Sequence, residues 1–277
     1  MVKIITDTSA LFTIEEGKDK GVHVIPLSVS INGKHQRDLC FDTKEFLADV
    51  RAGHVPTSSQ PPIGEVLAAY EQYPEDEIIN ICMADGLSGT YQSALSAKEQ
   101  SERKEHIHVL NSTTLCGPHR YLVEKAVKLC QEGFDASTIL GRLKESIDHT
   151  HSFLIPQDFD FLKRGGRLKG TTATLGGLLK LKPIMEAVDG GTRLDKFGIT
   201  RTLGKAADTI AHNFIERGVD ETYKIYVSHA DALAGATMIL EKLKNCFAAC
   251  EIELLELSPA FITQGGPECI AVQYIKK

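Results

Sequence analysis

Residues 2–6 are apolar and mostly β-branched and run into Asp7-Thr8-Ser9, which predicts a buried strand ending in a polar turn. Val22 to Ile31 predicts a second strand, with Pro26 setting a kink or an edge position inside it. Asn32-Gly33 predicts a hairpin-type turn. Thr43 reads as the cap of a short amphipathic helix from Lys44 to Arg51, and Pro56 to Pro62 as a polar, proline-marked loop. Helical spacing follows from Gly64 to Tyr73 (Val66, Leu67, Tyr70). Ile78 to Met83 predicts another buried strand, closed by Gly86-Leu87-Ser88-Gly89, and Thr90 to Glu102 has the composition of a helix. A short strand at Ile107 to Leu110 is followed by a helix that Gly117-Pro118 opens and that runs to about Gln131. Another helix is expected from Ala136 to Thr150. Strands alternating with helices predict a parallel sheet covered on both faces. In such sheets ligands sit beyond the carboxyl ends of the strands.

The pattern changes after Phe153 to Pro156. Phe161 to Leu168 carries Lys163-Arg164-Gly165-Gly166-Arg167, and a glycine- and threonine-rich stretch, Gly170 to Gly177, leads to Leu181-Lys182-Pro183-Ile184. Leu203 to Phe214 is an amphipathic helix, Lys224 to Ser228 a strand, Ala232 to Leu243 a helix and Ile252 to Leu257 a strand. Gln264-Gly265-Gly266-Pro267 reads as a turn before a final strand, Cys269 to Ile275. The 277 residues suffice for two domains at ~150 residues each. The expected division is a front domain of residues 1–153 and a rear domain of residues 154–277.

Hydrophobic residues make up 42% and charged residues 25%, which excludes disorder over most of the chain. A net charge of −6 argues against a broad nucleic-acid surface. No apolar run reaches the ~18 uncharged residues of an integral membrane segment. Asp7 interrupts the start before a signal-peptide core could form, so a cytoplasmic protein is expected. The seven cysteines are scattered with no C-x-x-C, which suits reduced thiols. Neither Cys246 with Cys250 nor His149 with His151 is read as a metal site.

Three segments could carry chemistry. Thr57-Ser58-Ser59-Gln60-Pro61-Pro62 gathers hydroxyls between prolines, either as a ligand contact or as a polar loop capping the next helix. Asp85 to Thr90 joins a buried strand to a helix. Its glycines would let the backbone approach an anion at the helix start, or its hydroxyls simply cap that helix. It is neither a P-loop, lacking the lysine, nor a G-x-S-x-G elbow, ending in Thr90. Lys163 to Arg167 could grip a phosphate or carboxylate, or form a solvated helix end with a glycine cap. Arg201 is either a surface strand residue or an anion ligand.

Taken together and in order, these segments resemble the DegV family of fatty-acid-binding proteins. Ile4-Ile5-Thr6-Asp7-Thr8-Ser9 is similar to the family's start, and Ser58-Ser59-Gln60-Pro61 to its T-S-Q-P motif. Leu87-Ser88-Gly89-Thr90-Tyr91-Gln92-Ser93-Ala94 resembles its L-S-G-T-Y-Q-S-A. Phe161 to Leu168, Leu181 to Ile184 and Arg201-Thr202 extend the likeness over nearly the whole chain. The resemblance implies an α/β protein of two domains: a parallel-sheet, Rossmann-like front domain and a rear α/β domain with a mixed sheet. A fatty acid such as hexadecanoate would lie between them. It implies no cofactor beyond that ligand and no catalysis by this chain. It further implies presentation of the acid to a separate fatty-acid kinase subunit, for phospholipid metabolism. The carboxylate would meet Ser58, Ser88 and backbone amides near Gly89. Thr57, Arg164, Arg167, Arg201 and Gln264 would serve as head-group or partner contacts.

The sequence departs from the family's pattern in several places. Ser58 stands where Thr is usual, Ala84-Asp85 replaces a Ser-Ser pair, Gln264 replaces a His, and Glu268 replaces a Gly. Asp85 would repel a carboxylate unless it points away, and Gln264 donates hydrogen bonds without carrying charge. A sixteen-carbon acid buries roughly fourteen methylenes, about 11 kcal/mol before the costs of binding. The tail would therefore supply affinity, and neutral donors need only fix the head. The rival readings are a small-molecule kinase-like enzyme of the dihydroxyacetone kinase fold and a serine esterase using Ser88. The first lacks a nucleotide loop and an acidic metal cluster. The second has no base singled out among His106, His108, His119 and His229.

Overall fold

The computed structural model describes residues 1–168 and 181–277. The stretch from Gly170 to Gly177 singled out above lies outside them.

The front of the chain opens with β1 (Val2–Asp7), a 3-10 turn (Thr8–Ala10), α1 (Ile14–Asp19) and β2 (His23–Ile25). The run read as one strand from Val22 to Ile31 is split. Pro26 has no N–H to give to a ladder, so β2 ends before it and β3 (Ser28–Ile31) begins a different sheet. Asn32 and Gly33, both at positive φ (49° and 74°), turn β3 into β4 (Lys34–Arg37), the left-handed pair that a tight hairpin needs. Next comes α2 (Thr43–Arg51). Thr43 lies inside this helix and does not cap it. The cap is Asp42, whose Oδ1 accepts from the Lys44 and Glu45 amides at 2.9 and 3.0 Å.

The segment read as a loop contains β5 (Thr57–Ser59), which pairs with β3 through Ser58 and Val29. It is an edge strand of three residues, the position that flanking prolines allow. After it come α3 (Ile63–Glu71), β6 (Glu77–Cys82), α4 (Thr90–Gln100), β7 (Ile107–Asn111), α5 (Cys116–Gln131) and α6 (Ala136–Ile147).

The rear begins with β8 (Thr150–Ile155) and α7 (Phe159–Gly165), followed by the hairpin of β9 (Lys182–Val188) and β10 (Arg193–Thr200). Then come α8 (Leu203–Glu216), β11 (Tyr223–His229), α9 (Leu233–Cys246), β12 (Glu251–Glu256), α10 (Pro259–Gly265) and β13 (Ile270–Lys276). Neither the β9–β10 hairpin nor α10 was read from the sequence. Gln264 and Gly265, taken for a turn, are the last residues of α10, which starts at Ser258-Pro259 with proline at its first turn.

Three sheets result. The first, ordered β2-β1-β6-β7, is wholly parallel. The second, ordered β10-β9-β8-β13-β11-β12, is mixed, with β11 and β12 its parallel pair. The third, β4-β3-β5, is antiparallel. Helix α5, with α6 beside it, lies in the layer the two large sheets share. Its Leu122, Val123, Ala126 and Leu129 pack with Ile4, Ile79 and Ile81 of the first sheet and with Tyr226 and Ile275 of the second. A methyl on Gly117 would sit 2.1 Å from the Tyr226 ring, so only glycine lets α5 start this close to the second sheet. Helices α3 and α4 cover the other face of the first sheet, and α8 and α9 that of the second.

Candidate functional site: an apolar cavity below the serine loops

The chain leaves β1 for β2 on one side and later occupies β6 on the other, so a topological switch point lies between β1 and β6. The loops after these strands are tied together. Asp7 accepts from the Ser9 amide at 2.8 Å through one carboxylate oxygen and from the Met83 amide at 3.2 Å through the other. Ser9 Oγ bonds His119 Nδ1 at 2.8 Å, and His119 Nε2 faces the Ile81 carbonyl at 3.0 Å. A carbonyl only accepts, so the ring donates from Nε2 and accepts the Ser9 hydroxyl at Nδ1. Burial lowers the His119 pKa and keeps the ring neutral. His119 thus fixes two strand ends and is no base for Ser88.

At this edge opens a cavity of about 920 Å³, counted together with the open space at its mouth. Ser9, Met83, Leu87 and Ser88 line it from the first sheet's loops, and Leu27 and Ser58 from the third-sheet segment. Ala260, Phe261 and Gln264 reach it from α10. Leu154, Ala187 and Ala271 supply an apolar floor from the second sheet, together with Ser152 and Gln273.

Ser58 and Ser88, from segments thirty residues apart, line the same cavity. Ser58 Oγ accepts from Gln264 Nε2 at 3.1 Å, which joins the third sheet to α10. Gln264 Oε1 is buried and has no hydrogen-bond partner among the described residues, and a methyl on Gly165 would lie 2.1 Å from it. Ser88 Oγ bonds Thr90 Oγ1 at 2.8 Å and takes the Thr90 amide at 3.3 Å. Ser88, just ahead of α4, thus lines the cavity and holds the Thr90 amide, while the start of that helix has no side-chain cap bond. Gly89 is the N-cap of α4, where an added methyl would meet the Gln60 amide group at 2.8 Å, and among the described residues it is not part of the cavity wall.

Asp85 turns away from the cavity. Both of its carboxylate oxygens accept from Gln92 Nε2 at 3.0 Å, on the helix that follows. Asp85 is therefore no part of the cavity wall.

Lys163 to Gly166 ends α7 with Gly166 at φ 69°, the glycine-capped helix end considered above. Arg167, just beyond, lines the cavity, with Nε donating to the Leu87 carbonyl at 3.1 Å and a second bond to the Gly165 carbonyl. Burial lowers its pKa from the ordinary value, and among the described residues no carboxylate pairs with it. Arg167, expected as a head-group or partner contact, thus brings a guanidinium from outside both serine motifs into the cavity wall. Thr57, Arg164, Arg167 and Gln264 also line an adjoining depression of mixed character that shares Ser58 with the cavity, where the Arg164 guanidinium stacks 4.6 Å from the centre of the Phe161 ring. Arg201 lies elsewhere, exposed between β10 and α8.

Sequence reasoning missed Gln273, although a lone amide in the apolar run of β13 was the available signal. It also missed Asp38, whose Oδ2 accepts from Ser258 Oγ at 2.8 Å and whose Oδ1 accepts from the Ala260 amide at 3.0 Å. Nothing in the local pattern around Asp38 pointed to α10.

The geometry agrees with comparisons to known proteins. A DegV domain-containing protein of Halalkalibacterium halodurans is 31% identical over 284 residues, covering 100% of this chain and 99% of that protein. A solved DegV family protein of Thermus thermophilus, described for its fatty acid binding, superposes with a TM-score of 0.88 at 27% identity, over 100% of this chain and 99% of that one. DegV of Bacillus subtilis, described as a fatty acid binding protein, gives a TM-score of 0.86 at 28% identity over the same shares. The family description "Uncharacterised protein, DegV family" matches residues 1–277. This chain belongs to the DegV family.

Proposed function

We propose that the chain is a carrier of one long-chain fatty acid and not itself a catalyst. The tail fills the apolar cavity, and the carboxylate takes hydrogen bonds from Ser58 and Ser88, with Arg167 as its charged partner. The front residues 1–153 supply the serine loops and residues 154–277 the rest of the pocket. The observation that carries this reading is one largely apolar cavity with two motif serines in its wall, together with an arginine that pairs with no carboxylate among the described residues. The fatty-acid binding described for the Thermus thermophilus and Bacillus subtilis relatives supports it. A tail of sixteen carbons provides up to about 11 kcal/mol from burial, so a few donors suffice to orient the head.

We further propose that the mouth, with Thr57, Arg164 and Gln264, presents the head group to a separate fatty-acid kinase subunit. Arg201 would be an outlying contact for that partner. The chain supplies no nucleotide site in this scheme, and ATP belongs to the partner.

Native mass spectrometry of the purified protein, followed by solvent extraction, tests the central claim. One fatty acid per chain is expected. In delipidated protein the Ser58→Ala, Ser88→Ala double variant should bind hexadecanoate about tenfold or more weakly by calorimetry. A protein that carries no fatty acid and takes none up, or a double variant of unchanged affinity, refutes the reading of the site.

A further inference from the structure

The second-sheet wall of the cavity holds two polar side chains among apolar neighbours. Successive residues of a strand point to opposite faces. Along β13, Ile270, Val272 and Tyr274 join the core beneath α8 and α9, whereas Ala271 and Gln273 line the cavity. On β8 the register sets Leu154 opposite Ala271 and Ser152 opposite Gln273. Gln273 is 1% exposed and Ser152 8%.

Gln273 Nε2 donates to the Leu115 carbonyl at 3.0 Å and to Ser152 Oγ at 2.8 Å. Because a carbonyl only accepts, the amide is oriented with its nitrogen toward Leu115. Its oxygen, Oε1, is buried and has no partner among the described residues. Ser152 is the acceptor in its bond with Gln273, and among the described residues its own hydroxyl hydrogen meets no acceptor. The pair therefore offers one unused acceptor and one unused donor in a wall otherwise lined by carbon.

We propose that this pair recognises a hydroxyl on the acyl chain, so that the preferred ligand is a hydroxylated long-chain fatty acid. The inference rests on the fatty-acid reading above and narrows its ligand class. An alcohol matches the pair because it gives its hydrogen to Gln273 Oε1 and accepts from Ser152 Oγ. A plain methylene chain leaves a buried acceptor unmet, which is costly. A ketone matches half of the pair: it accepts from Ser152 but sets a second acceptor against Gln273 Oε1. Sites built to bond a ligand hydroxyl discriminate strongly against analogues that lack it.

The test compares delipidated wild-type protein with octadecanoic acid, a set of hydroxyoctadecanoic acids differing in hydroxyl position, and the matching oxo acids, by calorimetry. At least one hydroxy isomer should bind about tenfold more tightly than octadecanoic acid, and its oxo counterpart no more tightly. In Gln273→Met and in Ser152→Ala the ratio between that isomer and octadecanoic acid should fall toward one. The wild-type series stands alone should either variant fail to fold. The proposal is overturned if no isomer exceeds octadecanoic acid, if the oxo acids share the preference, or if the preference survives in Gln273→Met. Protein that takes up none of these acids overturns the fatty-acid reading as well, which separates the two failures.

Discussion

Arg167 shows how a single side chain alters the electrostatics of an apolar cavity. Its stem continues past a glycine-capped helix end, and its guanidinium is held by two carbonyls and by no carboxylate among the described residues. Burial has already lowered its pKa, so the charge has lost part of its hydration before any ligand arrives. An incoming carboxylate would restore a charged partner. Replacing Arg167 by Gln should weaken hexadecanoate binding by about tenfold or more, and should weaken it more than binding of the matching alcohol, measured by calorimetry. Equal losses for acid and alcohol would show that Arg167 packs against the chain without meeting its head. The residue types at Ser58, Ser88 and Arg167 were legible in the sequence. The direction of Asp85 was not, because it depends on Gln92, which reaches it only once α4 has formed.

Helix α10 carries Gln264 into the site, and Asp38 holds the start of that helix. Burial raises the Asp38 pKa from 3.8 to about 6, against the opposing pull of its hydrogen bonds from Ala260 and Ser258. The folded form therefore holds this proton more tightly than the unfolded chain. The stability due to that proton is complete below about pH 4 and is lost as the pH climbs to about 6, roughly 3 kcal/mol at most. Asp38→Asn keeps an acceptor and removes the titration. The melting temperature of the variant should gain on that of the wild type between pH 4 and 6 and run parallel to it above; parallel curves throughout would refute the assignment.

A second contact between elements sits at Gly86, where an added methyl would lie 2.1 Å from the Thr192 backbone in the β9–β10 turn. Gly86→Ala should cost about 2 kcal/mol or more, a drop of roughly 4 °C in melting temperature by calorimetry. An unchanged melting temperature would mean that the hairpin does not seat on the Ser88 loop. Boundaries marked by proline or glycine were readable, as at Asn32-Gly33. Helix α10 was overlooked although Ser258-Pro259 announced it, because its seven residues are too few to show a periodic pattern.

The cavity lies where the carboxyl edge of the first sheet, the small third sheet, α10 and the inner face of the second sheet meet. Filling it with an acyl chain adds apolar contacts to parts already joined by α5 and α6, by an apolar cluster that runs from Leu27 and Val29 through Leu87 to Ala260 and Ile262, and by polar ties such as Gln264 to Ser58. Delipidated protein should therefore melt about 5 °C or more below protein saturated with hexadecanoate, as binding to the native state alone requires at a hundredfold excess over Kd. Equal melting temperatures would argue against a ligand in this space. The sequence by itself determined the alternation of strands and helices, the parallel first sheet, the hairpin at Asn32-Gly33 and the motifs that mark the family, because each is written in neighbouring residues through side-chain period and backbone preference. Only the tertiary structure decided that Val22 to Ile31 divides between two sheets, that Ser58, Ser88, Arg167 and Gln264 converge, and that Gln273 and Ser152 stand in the apolar floor. Those facts depend on which strands pair and which faces meet, and pairing between residues far apart in the chain leaves no periodic trace in either partner.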